Sequence, residues 1–483
     1  MNRGIVRAVL GKLLILLGLT MVPSFFIALF YNEKESTSAF LITIALVVIV
    51  GLIMTFRPAM TKKIRIQDGL VIVTFGWIIA SVFGALPFYF SGNIPSYTDA
   101  FFETMSGFTT TGASLLTNVE ALDNSMLFWR SFTHWIGGMG ILVVTVAIFP
   151  AMGSGGFQIF RAESPGPTSE RIVPRIKDTA KILYITYTVI SIAEFILLLL
   201  GGMTPLDSAI HTFGTVGTGG FSSKSLSVGY YNSTYIKVVI TIFMVLCGVN
   251  FSIYYNIIKK KFKNIFDNSE LKLYMGIIIV ASIFIFIDLA YITDHSLGNN
   301  IVDSVFQVVS IITTTGFSTV DFDLWPTFTK VILFFLMFIG GTAGSTAGSI
   351  KVIRILILIK QIKVELQKIF HPRAVISLKV DDKSITPGIL GSITSFFVLY
   401  ILVFVLGTLL ISLEGYDLIT TSSSVAATLG NVGPGFGLVG AANNYSFFSV
   451  PSKWLFSILM LLGRLELFTV VALFTPSIWK SDQ

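Results

Sequence analysis

The chain has 483 residues, 53% hydrophobic and only 12% charged, with a net charge of +7. Soluble domains carry about 25% charged residues, so a soluble globule of this size is excluded. A membrane β-barrel is excluded too, because the apolar runs are continuous for about 20 residues rather than alternating. The basic excess is not a nucleic-acid footprint. Most of the 33 Lys and Arg fall in Arg3 to Lys12, Arg57 to Arg65, Arg161 to Lys181, Lys259 to Lys272, Lys351 to Lys383 and at Lys480. These stretches share one side of the inferred topology, a positive-inside bias that puts them and both termini in the cytoplasm. The predicted class is an all-α polytopic membrane protein. Its one cysteine, Cys247, lies in an apolar run as core filler.

Residues 8–30 and 38–56 read as an opening helical hairpin, within a first unit of residues 1–66. The first segment is apolar for longer than a signal-peptide core and is read as a retained membrane helix. Four units follow, over 67–160, 161–265, 266–383 and 384–483. Each reads as outer helix, short helix, glycine turn and inner helix. In the first these are Gly69–Gly92, Ser96–Gly107, Thr109–Ser114 and about 126–150. Ala151 to Lys181, rich in Pro and Gly, reads as a cytoplasmic loop. The second unit runs from Ile182 through Gly220 to Lys259, the third from Leu271 through Gly316 to Lys363. Glu365 to Lys383 forms a second cytoplasmic surface. The fourth unit runs from Pro387 through Gly433 to Thr475.

The four turns organise the chain. They read Thr109-Thr110-Thr111-Gly112, Gly217-Thr218-Gly219-Gly220, Thr313-Thr314-Thr315-Gly316 and, divergently, Gly430-Asn431-Val432-Gly433. Asp99, Asp207 and Asp303 each lie 13 residues before the aligned glycine, and Asp417 lies 16 before Gly433. Such an internal period signals repeated architecture. Each Asp is expected to cap its short helix. Irregular backbone at membrane depth survives only where it lines a cavity or is buried in protein, so four turns grouped on one axis predict a pore entrance lined by carbonyls that replace a cation's water shell. The other reading is four ordinary helix-ending glycines.

Taken with Trp129-Arg130-Ser131-Phe132-Thr133-His134-Trp135-Ile136-Gly137-Gly138-Met139-Gly140 and with Gly340-Gly341-Thr342-Ala343-Gly344-Ser345-Thr346-Ala347-Gly348-Ser349-Ile350-Lys351, the turns resemble the Trk/Ktr/HKT superfamily of cation transporters, most closely its TrkH type. The resemblance covers nearly the whole chain. It implies potassium uptake across a prokaryotic cytoplasmic membrane through one pseudo-fourfold pore, with a sodium-dependent Ktr-like transporter as the alternative. The N-terminal hairpin favours the TrkH type. The implied filter comprises Thr110, Thr111, Gly112; Thr218, Gly219, Gly220; Thr314, Thr315, Gly316; and Asn431, Val432, Gly433. Glycine in all four copies goes with potassium selectivity in the superfamily. The divergent fourth turn implies a filter without full fourfold symmetry.

The resemblance also implies a homodimer, and a cytoplasmic ring of TrkA-like nucleotide-binding subunits that controls opening. Besides the lipid bilayer, no nucleic acid and no organic cofactor is expected; potassium is cargo. The residues Gly340, Gly341, Gly344, Ser345, Gly348 and Lys351 match the superfamily's intramembrane loop, the expected gate. No phosphate-binding loop fits, since Gly348 is followed by Ser349 and Ile350. Tight helix packing through small residues is the competing reading. Arg464, expected near mid-membrane in the last helix, either faces the pore beneath the filter or pairs with a carboxylate such as Glu194. Glu194 itself reads as a functional acid or as an acceptor for a nearby half-helix. Arg130 and His134 read as interfacial anchors. No converging nucleophile and base, and no histidine spacing for a metal, suggests an enzyme.

Overall fold

The computed structural model describes residues 1–56, 65–140, 176–260, 267–292, 296–374, 376–381 and 383–476. The expected inner-helix end at 141–150, most of the loop to Lys181, and Lys480 lie outside the described residues.

The opening hairpin pairs α1 (Arg3–Phe30) with α2 (Lys34–Thr55). Glycine sets their approach: a Cβ on Gly11 would lie 2.8 Å from the Gly51 carbonyl, and one on Gly51 would lie 2.7 Å from that of Gly11. Small residues allow such close backbone contact between membrane helices, where dispersion drives association. The hairpin is more than an anchor. Glu33 accepts the N–H groups of Asn124 (2.7 Å) and Ser125 (3.1 Å), and Asp68 accepts the Asn2 N–H at 2.7 Å.

The first repeat follows as α3 (Ile66–Gly84), its short extension α4 (Leu86–Phe90), the half-helix α5 (Tyr97–Phe108) and the inner helix α6 (Asn124–Gly138). The second comprises α7 (Ile176–Leu200), α8 (Pro205–Val216), α9 (Thr234–Cys247) and α10 (Phe251–Ile258). The third comprises α11 (Ser269–Ile292), α12 (Leu297–Ile312), α13 (Thr327–Leu336) and α14 (Val352–Phe370). A two-stranded hairpin, β1 (Lys379–Val380) and β2 (Lys383–Ser384), leads to the fourth repeat. That repeat is α15 (Pro387–Ile411), α16 (Leu418–Leu429), α17 (Val450–Arg464) and α18 (Phe468–Val471). Among the described residues, six helices are long and apolar enough to cross a membrane, or up to eight if each bent pair counts as one span.

Two expectations need correction. The predicted caps Asp99, Asp207 and Asp303 are not caps: Ser96, Thr204 and Ser296 accept the first-turn N–H groups, and only Asp417 caps its helix. The three other aspartates act one or two turns deeper. Asp99 pairs with Lys453 (2.8 Å), Asp303 with Lys237 (3.1 Å), and Asp207 accepts from Ser223. The regular spacing therefore ties each half-helix to its own turn or to a neighbouring repeat. Second, interruption of the inner helices is not confined to the third repeat. The chain bends by 94° between α9 and α10 and by 110° between α17 and the segment from Phe468 to Phe474.

Candidate functional site: a ring of four glycine turns

Each half-helix ends in the same backbone conformation. Thr110, Thr218, Thr314 and Asn431 have φ of 52°, 53°, 54° and 54°, and the glycines two residues on have φ of 81°, 77°, 80° and 98°. The left-handed residue closes the helix in Schellman fashion. Thr111 N–H reaches Ser106 O (2.9 Å), Gly219 reaches Gly214 (2.8 Å), Thr315 reaches Ser310 (2.8 Å) and Val432 reaches Ala427 (2.8 Å). The turns' N–H groups thus point back into their own helices.

The carbonyls point elsewhere. A Cβ built on Gly112 would strike the Gly219 carbonyl, one on Gly220 that of Thr315, one on Gly316 that of Val432, and one on Gly433 that of Thr111. Each glycine faces the carbonyl before the glycine of the next repeat, and the fourth returns to the first. The turns close into a ring in chain order. The ring has fourfold backbone and unequal side chains. Thr109 and Thr313 share hydrogen bonds with Thr111 and Thr315 (both 2.8 Å), whereas the Asn431 amide donates to Thr111 Oγ1 and Met460 O, both at 2.9 Å. All four glycines line one cavity of about 110 Å³.

A second cavity, of about 90 Å³, lies on the other side and is lined by Gly344 to Ser349, Lys351 and Arg464. The loop of residues 340–350 forms its wall. Gly348 N–H donates to Thr314 Oγ1 (2.7 Å), Thr346 Oγ1 to Val216 O (3.2 Å), and a Cβ on Gly348 would come 2.6 Å from Gly430 O. The loop therefore touches repeats two, three and four directly. A Cβ on Gly340 would strike Gly348 O, and one on Gly341 would lie 2.7 Å from Gly248 O. Gly344 has φ of 77°. Ser345 Oγ donates to Thr342 O (2.6 Å), and the buried Lys351 Nζ to Ala347 O.

Arg464 supplies the link to the first repeat. Its guanidinium donates to Thr110 Oγ1 (2.9 Å), Thr346 O (2.8 Å), Gly137 O (2.7 Å) and Gly138 O (2.9 Å). It ends α17 instead of lying mid-helix as expected. Among the described residues Arg464 does not pair with Glu194, whose carboxyl is fully buried with the Thr215 hydroxyl of the neighbouring half-helix beside it. Glu466, two residues beyond Arg464, pairs with Arg354.

Arg130 and His134 are not interfacial anchors. They are 3% and 0% exposed. Arg130 Nε pairs with Glu103 at 2.6 Å, its Nη1 reaches Ser222 O (3.1 Å), and its charge lies over the Phe221 ring. His134 Nδ1 bonds Gly107 O at 2.7 Å and its ring fills the space beside Gly219. Both therefore wedge the first turn against the second. The motif around them is explained by Gly137 and Gly138, where a Cβ would strike Phe108 O and Gly217 Cα. Sequence reasoning also missed Glu103, whose other oxygen holds the Leu115 N–H at 3.0 Å. Its signal was an acid inside an apolar half-helix.

Among the described residues no cluster of His, Cys, Asp and Glu suits a resident metal. What converges is backbone carbonyl on an axis, which suits a cation in passage.

Residues 36–481 match the profile of the TrkH family, described as a cation transport protein. The chain is 38% identical over 489 residues to the Trk system potassium uptake protein TrkH of Salmonella typhimurium, covering 99% of each chain. It is 37% identical to the Trk system potassium uptake protein TrkG of Escherichia coli, covering all of both. The crystal structure of the potassium transporter TrkH from Vibrio parahaemolyticus superposes with a TM-score of 0.88 at 36% identity, over 99% of this chain and 100% of that one. These relatives are named as transporters, not enzymes. A multi-pass helical chain, a closed ring of glycine turns and an end-to-end match make this protein a member of the TrkH family of cation transport proteins.

Proposed function

We propose that this chain carries potassium inward across the cytoplasmic membrane of a prokaryote, by conduction through the axis of the glycine ring. One observation carries the reading: each ring glycine faces a carbonyl of the next repeat, in closed order. Carbonyls so placed can replace the hydration shell of a dehydrated cation. Thr110 to Gly112, Thr218 to Gly220, Thr314 to Gly316 and Asn431 to Gly433 then act as the filter. The 340–350 loop obstructs the path beneath it, with Arg464 adding fixed positive charge and Lys351 bracing the loop through Ala347 O. A homodimer with TrkA-like nucleotide-binding subunits on its cytoplasmic face, and both termini on that face, complete the reading.

A sodium-dependent Ktr-like transporter is not favoured. The N-terminal hairpin is hydrogen-bonded into the first repeat, and the relatives matched over their full length are Trk proteins. The test is growth of a potassium-uptake-deficient bacterium at low potassium, with and without sodium. Rescue independent of sodium supports the proposal. Strict sodium dependence favours the Ktr-like reading, and no rescue by well-folded protein rejects both.

A further inference from the structure

The loop beneath the ring is held from a third helix. Glu270 lies in the first turn of α11 and is 7% exposed. Its Oε1 accepts the Ala343 N–H at 2.7 Å and the Ile353 N–H at 3.0 Å. Ala343 is on the loop's entering limb, and Ile353 is the second residue of the helix that leaves it. Lys351, which precedes that helix, offers it no side-chain cap. First-turn N–H groups have no acceptor within their own helix, and a negative charge there is favoured by the helix dipole. One carboxylate oxygen thus caps α14 and pins the opposite limb of the loop.

Three of the loop's other backbone bonds are exchangeable. At the bend between α9 and α10, Thr346 N–H takes Cys247 O (3.4 Å), Thr342 N–H takes Gly248 O (2.9 Å), and Phe251 N–H goes to Gly344 O (3.1 Å). If the loop withdrew, Cys247 O could accept Phe251 N–H, its ordinary helical donor, as the bend straightened. The freed groups would recover hydrogen bonds within the helix. Ile353 N–H, whose ordinary helical acceptor would be Ser349 O, instead takes a charged acceptor in the seated loop. Charge-assisted bonds are about twice as strong as neutral ones, so the bias between seated and withdrawn loop weighs most on those that Glu270 accepts from Ala343 and Ile353 and that Arg464 donates to Thr346 O.

We propose that Glu270 is the positioning residue that keeps the intramembrane loop seated across the conduction path. The proposal rests on the reading of that loop as an obstruction. It is tested on the full-length protein reconstituted without cytoplasmic partner, by single-channel open probability and by reversal potential in potassium–sodium gradients. Four proteins are compared: wild type, Glu270→Gln, Glu270→Ala and a deletion of residues 343–348. Gln keeps an acceptor oxygen and loses the charge. Open probability is expected to rise from wild type through Gln to Ala, by on the order of tenfold at Ala (about 1.4 kcal/mol), with the reversal potential unchanged. A rise in the deletion with none in Glu270→Ala overturns the role of Glu270 and leaves the obstruction standing. No rise in the deletion overturns the obstruction itself. A lower yield of folded Glu270→Gln and Glu270→Ala, with unchanged open probability in what remains, assigns the residue to folding alone and also rejects the proposal.

Discussion

Replacing Gly112 by serine tests the ring most directly. Gly112 has φ of 81°, where a side chain costs about 1–3 kcal/mol of backbone strain. Its Cβ would also strike the Gly219 carbonyl. Relief requires that carbonyl, or the Gly112 backbone, to move, and the displaced group is one of those that would face the ion. If about 1.4 kcal/mol of differential coordination is lost, the preference for potassium over sodium falls about tenfold, which moves a bi-ionic reversal potential by about 59 mV for a monovalent ion. Two controls separate geometry from chemistry. Gly112→Ala brings the same collision without a hydroxyl and should shift the reversal potential similarly. Gly92→Ala places a side chain at φ of 73° where nothing lies within 4 Å; it should lower stability and leave selectivity alone. An unchanged reversal potential in folded Gly112→Ser would refute the assignment of Gly112 to the filter.

Three further outcomes are expected. Arg464→Ala removes a fixed charge; at about 8 Å and an effective dielectric of about 20 that charge opposes a cation by about 2 kcal/mol, so flux should rise roughly thirtyfold with selectivity nearly intact. Arg464→Lys should restore part of the barrier without the planar multi-donor contacts; reduced flux in folded Arg464→Ala would contradict the pore-facing role. Glu103→Ala leaves Arg130 buried without its carboxylate and should cost about 3–5 kcal/mol, read as thermal stability in detergent, whereas a loss under about 1 kcal/mol would make the pair incidental. Asp417→Ala should cost about 0.5–2 kcal/mol through the lost cap. The hydrogen bonds from Thr420 hold the Asp417 carboxyl below its usual range, so this contribution is present at neutral pH and fades as pH falls through the depressed folded value; wild type and Asp417→Ala should converge in stability in acid, and a constant difference down to low pH would argue against the ionised cap.

Much of the molecule is legible in the sequence because its causes are local. Uninterrupted apolar runs with few charges fix membrane-spanning helices by transfer free energy alone. The glycines at 112, 220, 316 and 433 mark positions where only a residue without Cβ sits easily, and all four have positive φ. The small-residue stretch from Gly340 to Ser349 left open both a loop and tight helix packing, and the structure makes it a loop between α13 and α14. Partner choice is another matter, because it joins residues far apart in the chain. Nothing in a short window says that Gly112 faces Gly219, that Arg464 reaches Thr110 instead of Glu194, or that Glu270 grips both limbs of a loop in the same repeat. Arg130 and His134 looked like surface anchors because a charge near a helix end ordinarily snorkels outward; the neighbouring turn instead offers Ser222 O, Phe221 and space beside Gly219, so both are buried. Likewise the aspartates stand where a cap would be read, yet a serine or threonine three or seven residues earlier takes that place and frees the carboxylates to bind other elements. Local backbone preference and hydrophobicity determine which segments form, whereas only the packed ring determines which buried polar group satisfies which, since each must find a partner once water is gone.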